Sequence, residues 1–286
     1  MAGLAGVVDW GMPTYALTVA GVVVVVCIAV AAGVVARRMD GPPGGPGRGD
    51  EPRALVPNTA VVGAPREGRW WRERHKALSD RARDVAASGD ARIVFLGDSI
   101  TQGWDEDGKR VWERYYAPRG AVNMGISGDK TQHVIWRVEN GNLEGMAEPA
   151  RGRAPELVVV LIGTNNVPRT EGNTAEQIGA GVVEVVRRVR ERLPRTKVLV
   201  MGILPRGDAG EEGKMMREKI RRANEIAAGA ADGEWVRFLD LGDRFLDEDG
   251  GVRRDLMPDL LHLSEKGYEV WAEGMEGVVR EVLGEG

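Results

Sequence analysis

The chain has 286 residues, 43% of them hydrophobic, which suffices for one sizeable core domain plus an appendage. A single cysteine, Cys27, excludes an intramolecular disulfide and a cysteine-built zinc site. With 39 basic against 43 acidic residues and a formal charge of -4, the chain lacks the basic field that nucleic-acid binding draws on, so nucleic acid is not an expected partner.

Residues 1–14 read as a short N-terminal tail, followed over residues 15–36 by a transmembrane helix or uncleaved signal anchor. Residues 16–36 carry no charge and only Thr18 as a polar side chain. At 1.5 Å per residue such a helix is about 30 Å long, enough to cross a hydrocarbon core. A cleaved signal peptide is the competing reading, because Ala29-Val30-Ala31 has the spacing of a cleavage site, but no Lys or Arg precedes it and the apolar run exceeds a normal signal core. The chain is therefore expected to be single-pass and membrane-bound. Arg37 and Arg38 after the helix, against Asp9 before it, favour a cytoplasmic location for the C-terminal domain. Residues 37–67 read as a Gly/Pro-rich linker: residues 41–49 parse as three collagen-like triplets, too few for a triple helix.

From residue 68 to 286 short apolar runs alternate with helix-period segments. Residues 92–97, 121–126, 157–163, 198–204 and 236–241 are branched and mostly apolar, as strands buried on both faces are. Residues 131–139, 174–193, 211–228 and 265–283 read as helices. The alternation predicts an α/β domain, a parallel sheet of five strands covered by helices on both faces in a three-layer α/β/α arrangement. In such sheets ligands bind beyond the carboxyl ends of the strands, and Ser99, Gly128 and Asn165 each fall just after one of the first three.

Ser99, in Gly97-Asp98-Ser99-Ile100-Thr101, is the candidate nucleophile, the alternative being a turn serine that caps a helix. The chain has three histidines. His75 lies in the charged segment 69–83 and reads as part of a solvated helix face; His133, in the first turn of a helix, reads as structural. His262 follows Asp259 by three residues, so the carboxylate can hold Nδ1 while Nε2 faces Ser99. Asp98 and Asp129 read as loop-fixing residues. Gly103-Trp104-Asp105-Glu106-Asp107-Gly108-Lys109-Arg110 mimics a phosphate loop, but Arg110 stands where Ser or Thr is needed and three acids repel phosphate. No metal-binding spacing occurs, so neither cofactor nor metal is expected.

These four blocks (97–101, 123–129, 163–166 and 259–262) resemble, in order, those of the SGNH (GDSL-type) hydrolases. Residues 68–70, 123–142, 163–166, 202–207 and 259–268 are similar to the catalytic subunits of platelet-activating-factor acetylhydrolase Ib and their bacterial relatives. The resemblance covers residues 68–283. It implies a flavodoxin-like fold, a Ser99-His262-Asp259 triad, and an oxyanion hole from the backbone N–H groups of Ser99 and Gly128 and the side-chain amide of Asn165, with Asn166 in support. It also implies an esterase acting on a small-molecule ester, makes a homodimer plausible, and, through exported bacterial relatives, favours an extracytoplasmic domain. Ile100, Thr164 and Leu261, sequence neighbours of these residues, are candidate walls of an acyl pocket that favours acetyl; the alternative is that they face the core. Ser127 departs from the glycine of the animal enzymes, and the N-terminal anchor has no counterpart in them. The leaving alcohol of a lipid or of a carbohydrate would fit equally. A reading from another class is a membrane-tethered binding or scaffold protein that keeps the fold without turnover.

Overall fold

The computed structural model describes residues 57–168 and 172–286. The tail, the expected membrane-spanning helix over residues 15–36 and the linker up to residue 56 lie outside the described residues. Among the described residues no helix is long and apolar enough to cross a membrane.

Strands β1 (Ile93–Gly97), β2 (Ala121–Gly125), β3 (Leu157–Leu161), β4 (Lys197–Met201) and β5 (Val236–Leu239) form one sheet in the order β2-β1-β3-β4-β5. Every pairing is parallel. Residues 157–161, Leu-Val-Val-Val-Leu, are buried throughout because helices cover both faces of the sheet. Alternate side chains along each strand enter opposite cores. Val94, Leu96, Val158, Val160, Val198 and Val200 join one cluster, and Ile93, Phe95, Leu157, Val159, Leu161 and Leu199 join the other.

The helices divide accordingly. Of α1 (Arg69–Ser88), α2 (Ser99–Gln102), α3 (Lys109–Tyr115), α4 (Thr131–Glu139), α5 (Ala175–Arg192), α6 (Glu211–Ala228) and α7 (Glu265–Leu283), the first cluster takes apolar residues of α1, α4, α5 and α6. The second takes those of α3 and α7. Helix α5 starts in a capping box, in which Thr174 Oγ1 accepts from Gln177 N–H at 3.2 Å and Gln177 Oε1 accepts from Thr174 N–H at 3.1 Å. Helix α7 buries Tyr268, Trp271, Ala272, Met275, Val279 and Leu283, a stripe at helical spacing.

Two features position the site. The chain leaves β1 for β2 on one side and returns to β3 on the other, so strand order reverses beside β1 and opens a crevice at the carboxyl end of the sheet. Gly97 pairs with both Gly125 and Leu161, so the three strands end at one level.

The expected linker boundary at residue 67 is corrected. Ala60, within a 3-10 turn at Thr59–Val61, is fully buried. Its carbonyl accepts from Thr131 Oγ1 at 2.8 Å, and Ala64 N–H donates to Gln132 O at 3.0 Å. Residues 57–67 are thus packed on the domain; Pro57, Gly63 and Pro65 gave them a linker's composition.

Candidate active site

Ser99 opens α2 directly after β1. The buried Asp98 caps that helix, its Oδ1 accepting from Ile100 N–H at 3.0 Å. Gly97 is needed for the close approach: a Cβ there would meet the Leu161 carbonyl oxygen and the Thr101 side chain. His262 Nε2 lies 3.0 Å from Ser99 Oγ, and His262 Nδ1 lies 2.7 Å from Asp259 Oδ2. The other carboxylate oxygen of Asp259 accepts the backbone N–H groups of Leu261 at 3.0 Å and His262 at 2.7 Å. Partial burial raises the Asp259 pKa, but the bonds from His262 and Leu261 outweigh it and hold the carboxyl below the usual range. The turn between them is strained. Leu260, at φ 64°, is the one non-glycine residue with positive φ among the described residues. Its carbonyl accepts from Gly207 N–H at 3.0 Å.

The loop after β2 brings Gly128. At φ 76° it is in the left-handed region that favours glycine, and a Cβ there would lie 2.7 Å from Arg66 Nη1, so a side chain would also displace that guanidinium. Ser127, where the resembled animal enzymes have glycine, has no such φ; its N–H donates to Gln102 Oε1 at 3.0 Å. After β3, Asn165 Nδ2 donates to the Asp129 carbonyl at 2.9 Å, using one of its two N–H groups. The N–H groups of Ser99 and Gly128 have no acceptor among the described residues. The neighbouring Asn166 is fully buried and spent: its Oδ1 accepts from Thr131 N–H, and its Nδ2 donates to Gln132 Oε1 and Asn173 Oδ1.

Asp129 is more than a loop-fixing residue. It is fully buried, accepting from Trp71 Nε1 through Oδ1 at 2.7 Å and from Arg137 Nε through Oδ2 at 2.7 Å. Arg137, also fully buried, donates further to Met124 O and Gly97 O, each at 3.0 Å, and to Asn142 Oδ1. Arg206 holds the turn after β3, donating to Thr164 O at 2.9 Å and Thr164 Oγ1 at 3.2 Å. Burial pushes its pKa down, opposed by Asp98 and Asp259.

The remaining histidines are structural. His133 Nδ1 accepts from Lys130 N–H at 2.9 Å. Burial, helped by Arg66, Lys130 and Arg137, lowers its pKa to about 3, so its 3.8 Å approach to Asp129 is not an ion pair at neutral pH. His75 is not on a solvated face: it stacks on Trp71 at 5.4 Å between ring centroids and meets Trp136 edge-on at 5.0 Å.

Ser99, Ser127, Asp259 and His262 line one cleft of about 880 Å³. Its other walls include Gln102, Glu106, Asp107, Lys109 and Arg110, the segment that only mimics a phosphate loop. The expected acyl walls are placed otherwise. Ile100 is buried in the α3–α7 core, so its side chain faces away from the cleft. Thr164 is buried with its hydroxyl on Arg206. Leu261 lines a separate cavity of about 360 Å³ with Arg206, Met216 and Leu260.

The profile of the GDSL-like Lipase/Acylhydrolase family matches residues 95–270. The chain is similar to platelet-activating factor acetylhydrolase IB subunit alpha1 of Bos taurus, at 37% identity over 82% of this chain and 92% of that protein. It is also similar to the alpha2 subunit of Rattus norvegicus, at 30% identity over 83% and 95%. Among solved structures, a GDSL-like lipase from Bacteroides thetaiotaomicron superposes with a TM-score of 0.58 at 19% identity, covering 72% of this chain and 97% of that one. The acetylxylan esterase Axe2 from Geobacillus stearothermophilus gives 0.50 at 18% identity, covering 68% and 95%. These two likenesses are of fold.

Two stability tests follow from the buried charges. Arg137→Met removes a donor from Asp129 Oδ2, Asn142 Oδ1 and the carbonyls of Met124 and Gly97, and is expected to lower unfolding free energy by about 3–5 kcal/mol in urea titrations; a loss under about 1 kcal/mol would remove the pair from its organising place. Burial raises the Asp98 pKa from 3.8 to about 7, with the Ile100 N–H, Arg206 and Arg137 opposing and Asp129 reinforcing it. The folded carboxyl therefore keeps its proton where the unfolded one has lost it. Stability from this group is full below pH 3.8 and is lost progressively as pH rises through about 7. Asp98→Asn keeps the acceptor for Ile100 and has no charge to bury, so its stability relative to wild type is expected to rise between pH 5 and pH 8, by up to about 3 kcal/mol. An unchanged difference at the two pH values would contradict this.

Proposed function

The chain belongs to the GDSL-like lipase/acylhydrolase family and is an ester-bond hydrolase; on that premise we propose that it is a serine esterase of short-acyl carboxylic esters, working through Ser99, His262 and Asp259. The observation that carries this reading is the continuous relay from Ser99 Oγ to His262 Nε2 at 3.0 Å and from Nδ1 to Asp259 Oδ2 at 2.7 Å. His262 takes the hydroxyl proton as Ser99 attacks the ester carbonyl, and then delivers it to the leaving alcohol. The acyl-enzyme is hydrolysed by water that His262 deprotonates in the same way. Asp259, kept ionised, fixes the tautomer and stabilises the imidazolium that forms at each step.

The tetrahedral oxygen of each step needs donors that are already aimed. The N–H groups of Ser99 and Gly128 and the second Nδ2 hydrogen of Asn165 supply them. Asn165 fits the task better than Asn166, whose amide is consumed by the core. The acyl group is acetyl or similarly short, a reading supported by the acetylhydrolase subunits at 30–37% identity. The charged and amide walls of the cleft, Gln102, Glu106, Asp107, Lys109 and Arg110, favour a hydrophilic alcohol over a bare alkyl chain.

A fluorophosphonate probe is expected to label wild type and not Ser99→Ala. Asn165→Ala should lower kcat on p-nitrophenyl acetate on the order of a hundredfold, with acetyl preferred to octanoyl in kcat/KM. Absence of labelling in wild type would overturn the esterase reading, and an unchanged kcat would remove Asn165 from the oxyanion site.

A further inference from the structure

We infer that Arg66 is a positioning residue of the oxyanion site: its guanidinium pins the Ser127 carbonyl and so aims the Gly128 N–H at the substrate oxygen. The inference rests on the esterase reading above. Arg66 Nη1 donates to Ser127 O at 2.6 Å. The same guanidinium packs on the Gly128 Cα, with Nη1, Nη2 and Cζ at 2.7, 3.1 and 3.2 Å from where a Cβ would stand. It is held from behind by Asp129 Oδ1 at 3.9 Å from Nη1. Its side chain is one-third exposed, so the bond is partly shielded from water.

The physical link is the peptide unit itself. In a planar trans peptide the C=O of residue 127 and the N–H of residue 128 point in opposite directions, so fixing one fixes the other. There are no cis peptide bonds among the described residues. Gly128 is free to adopt other backbone conformations, and a flip of the 127–128 peptide would turn a carbonyl oxygen toward the developing oxyanion in place of the N–H. Such a flip breaks the bond to Arg66 and leaves the partly shielded cation without that acceptor. A cation on the carbonyl also polarises the amide and strengthens its N–H as a donor. The preceding peptide is held at Ser127 N–H by Gln102 Oε1, so the loop is fixed on both sides of Ser127. Arg66 touches neither nucleophile nor base; it acts through the backbone of Gly128.

The test uses the full chain with Arg66→Met and Arg66→Lys, assayed on p-nitrophenyl acetate, with a benzeneboronic acid as tetrahedral mimic. Arg66→Met is expected to lower kcat about 10- to 100-fold, with KM within about twofold and thermal midpoint little changed. Affinity for the boronic acid should fall by a factor parallel to the loss in kcat/KM, because both depend on the aimed N–H. Arg66→Lys should recover part of the rate, and millimolar guanidinium should rescue Arg66→Met. Wild-type kcat in Arg66→Met overturns the inference. So does a loss of rate with unchanged boronic acid affinity and no recovery by lysine or guanidinium, the signature of a merely structural role. If wild type neither turns over esters nor labels with fluorophosphonate, the esterase reading has failed and this inference falls with it; if wild type is active and Arg66→Met equals it, only the inference fails.

Discussion

The buried pairing of Asp129 with Arg137 is the constraint from which the site's geometry follows. The guanidinium reaches the last carbonyl of β1 at Gly97 and the penultimate one of β2 at Met124, so it ties together the strand ends from which the Ser99 and Gly128 loops depart. Asp129 receives Arg137 on one oxygen and Trp71 of α1 on the other, while its backbone carbonyl orients Asn165. Three loops from three strands are therefore referenced to two side chains. Burial pushes the carboxyl of Asp129 up and the guanidinium of Arg137 down, and only their contact and added hydrogen bonds offset that desolvation. A buried pair of this kind is weak evidence for net stability. Its value here is specificity: an apolar substitute could fill the volume but could not hold two carbonyls and a carboxylate in register.

Charge in the rest of the site is sorted by the same competition between desolvation and hydrogen bonding. Asp98 and Asp259 both cap tight turns, yet their carboxyls move in opposite directions. Asp98 receives one backbone N–H in a fully buried position, and burial wins. Asp259 is largely exposed and receives two backbone N–H groups and the imidazole, and the hydrogen bonds win. The outcome suits each position. In the proposed mechanism an ionised group is needed behind His262, whereas beside Ser99 a second fixed negative charge would oppose the oxyanion.

Much of this was legible in the sequence where the signal is local. Apolar runs marked all five strands, most sharply β1 and β3, which are buried throughout inside the sheet, and Asp259 and His262 are three residues apart on one turn. What the sequence did not disclose, or disclosed wrongly, concerns residues whose meaning depends on distant partners. Arg137 lies in a helix of ordinary amphipathic pattern, and nothing local distinguishes a guanidinium that enters the core from one that leaves it. Arg66 sits among Pro and Gly residues that composition assigned to the linker, although Ala60 upstream is fully buried. The acyl-wall expectation took sequence adjacency to Ser99 for spatial adjacency to substrate. Within a helix, the residue after Ser99 is turned about 100° away, and Ile100 accordingly points into the aromatic core around Phe95 and Trp104.

Leu260 shows how His262, the proposed base, is held in place. A non-glycine residue in the left-handed region costs roughly 1–2 kcal/mol, and no periodicity in the Asp-Leu-Leu-His block announces it. The side chain of Leu260 is partly buried against the α7 core, and that burial is worth a comparable amount, up to about 2 kcal/mol. The Gly207 N–H adds a hydrogen bond to its carbonyl. Glycine at this position would relieve the backbone strain but give up the packing, and it would let the turn sample conformations in which Asp259 and His262 separate. The strained leucine, anchored at its side chain and its carbonyl, leaves the turn few alternatives to the one that sets Nδ1 at 2.7 Å from the carboxylate.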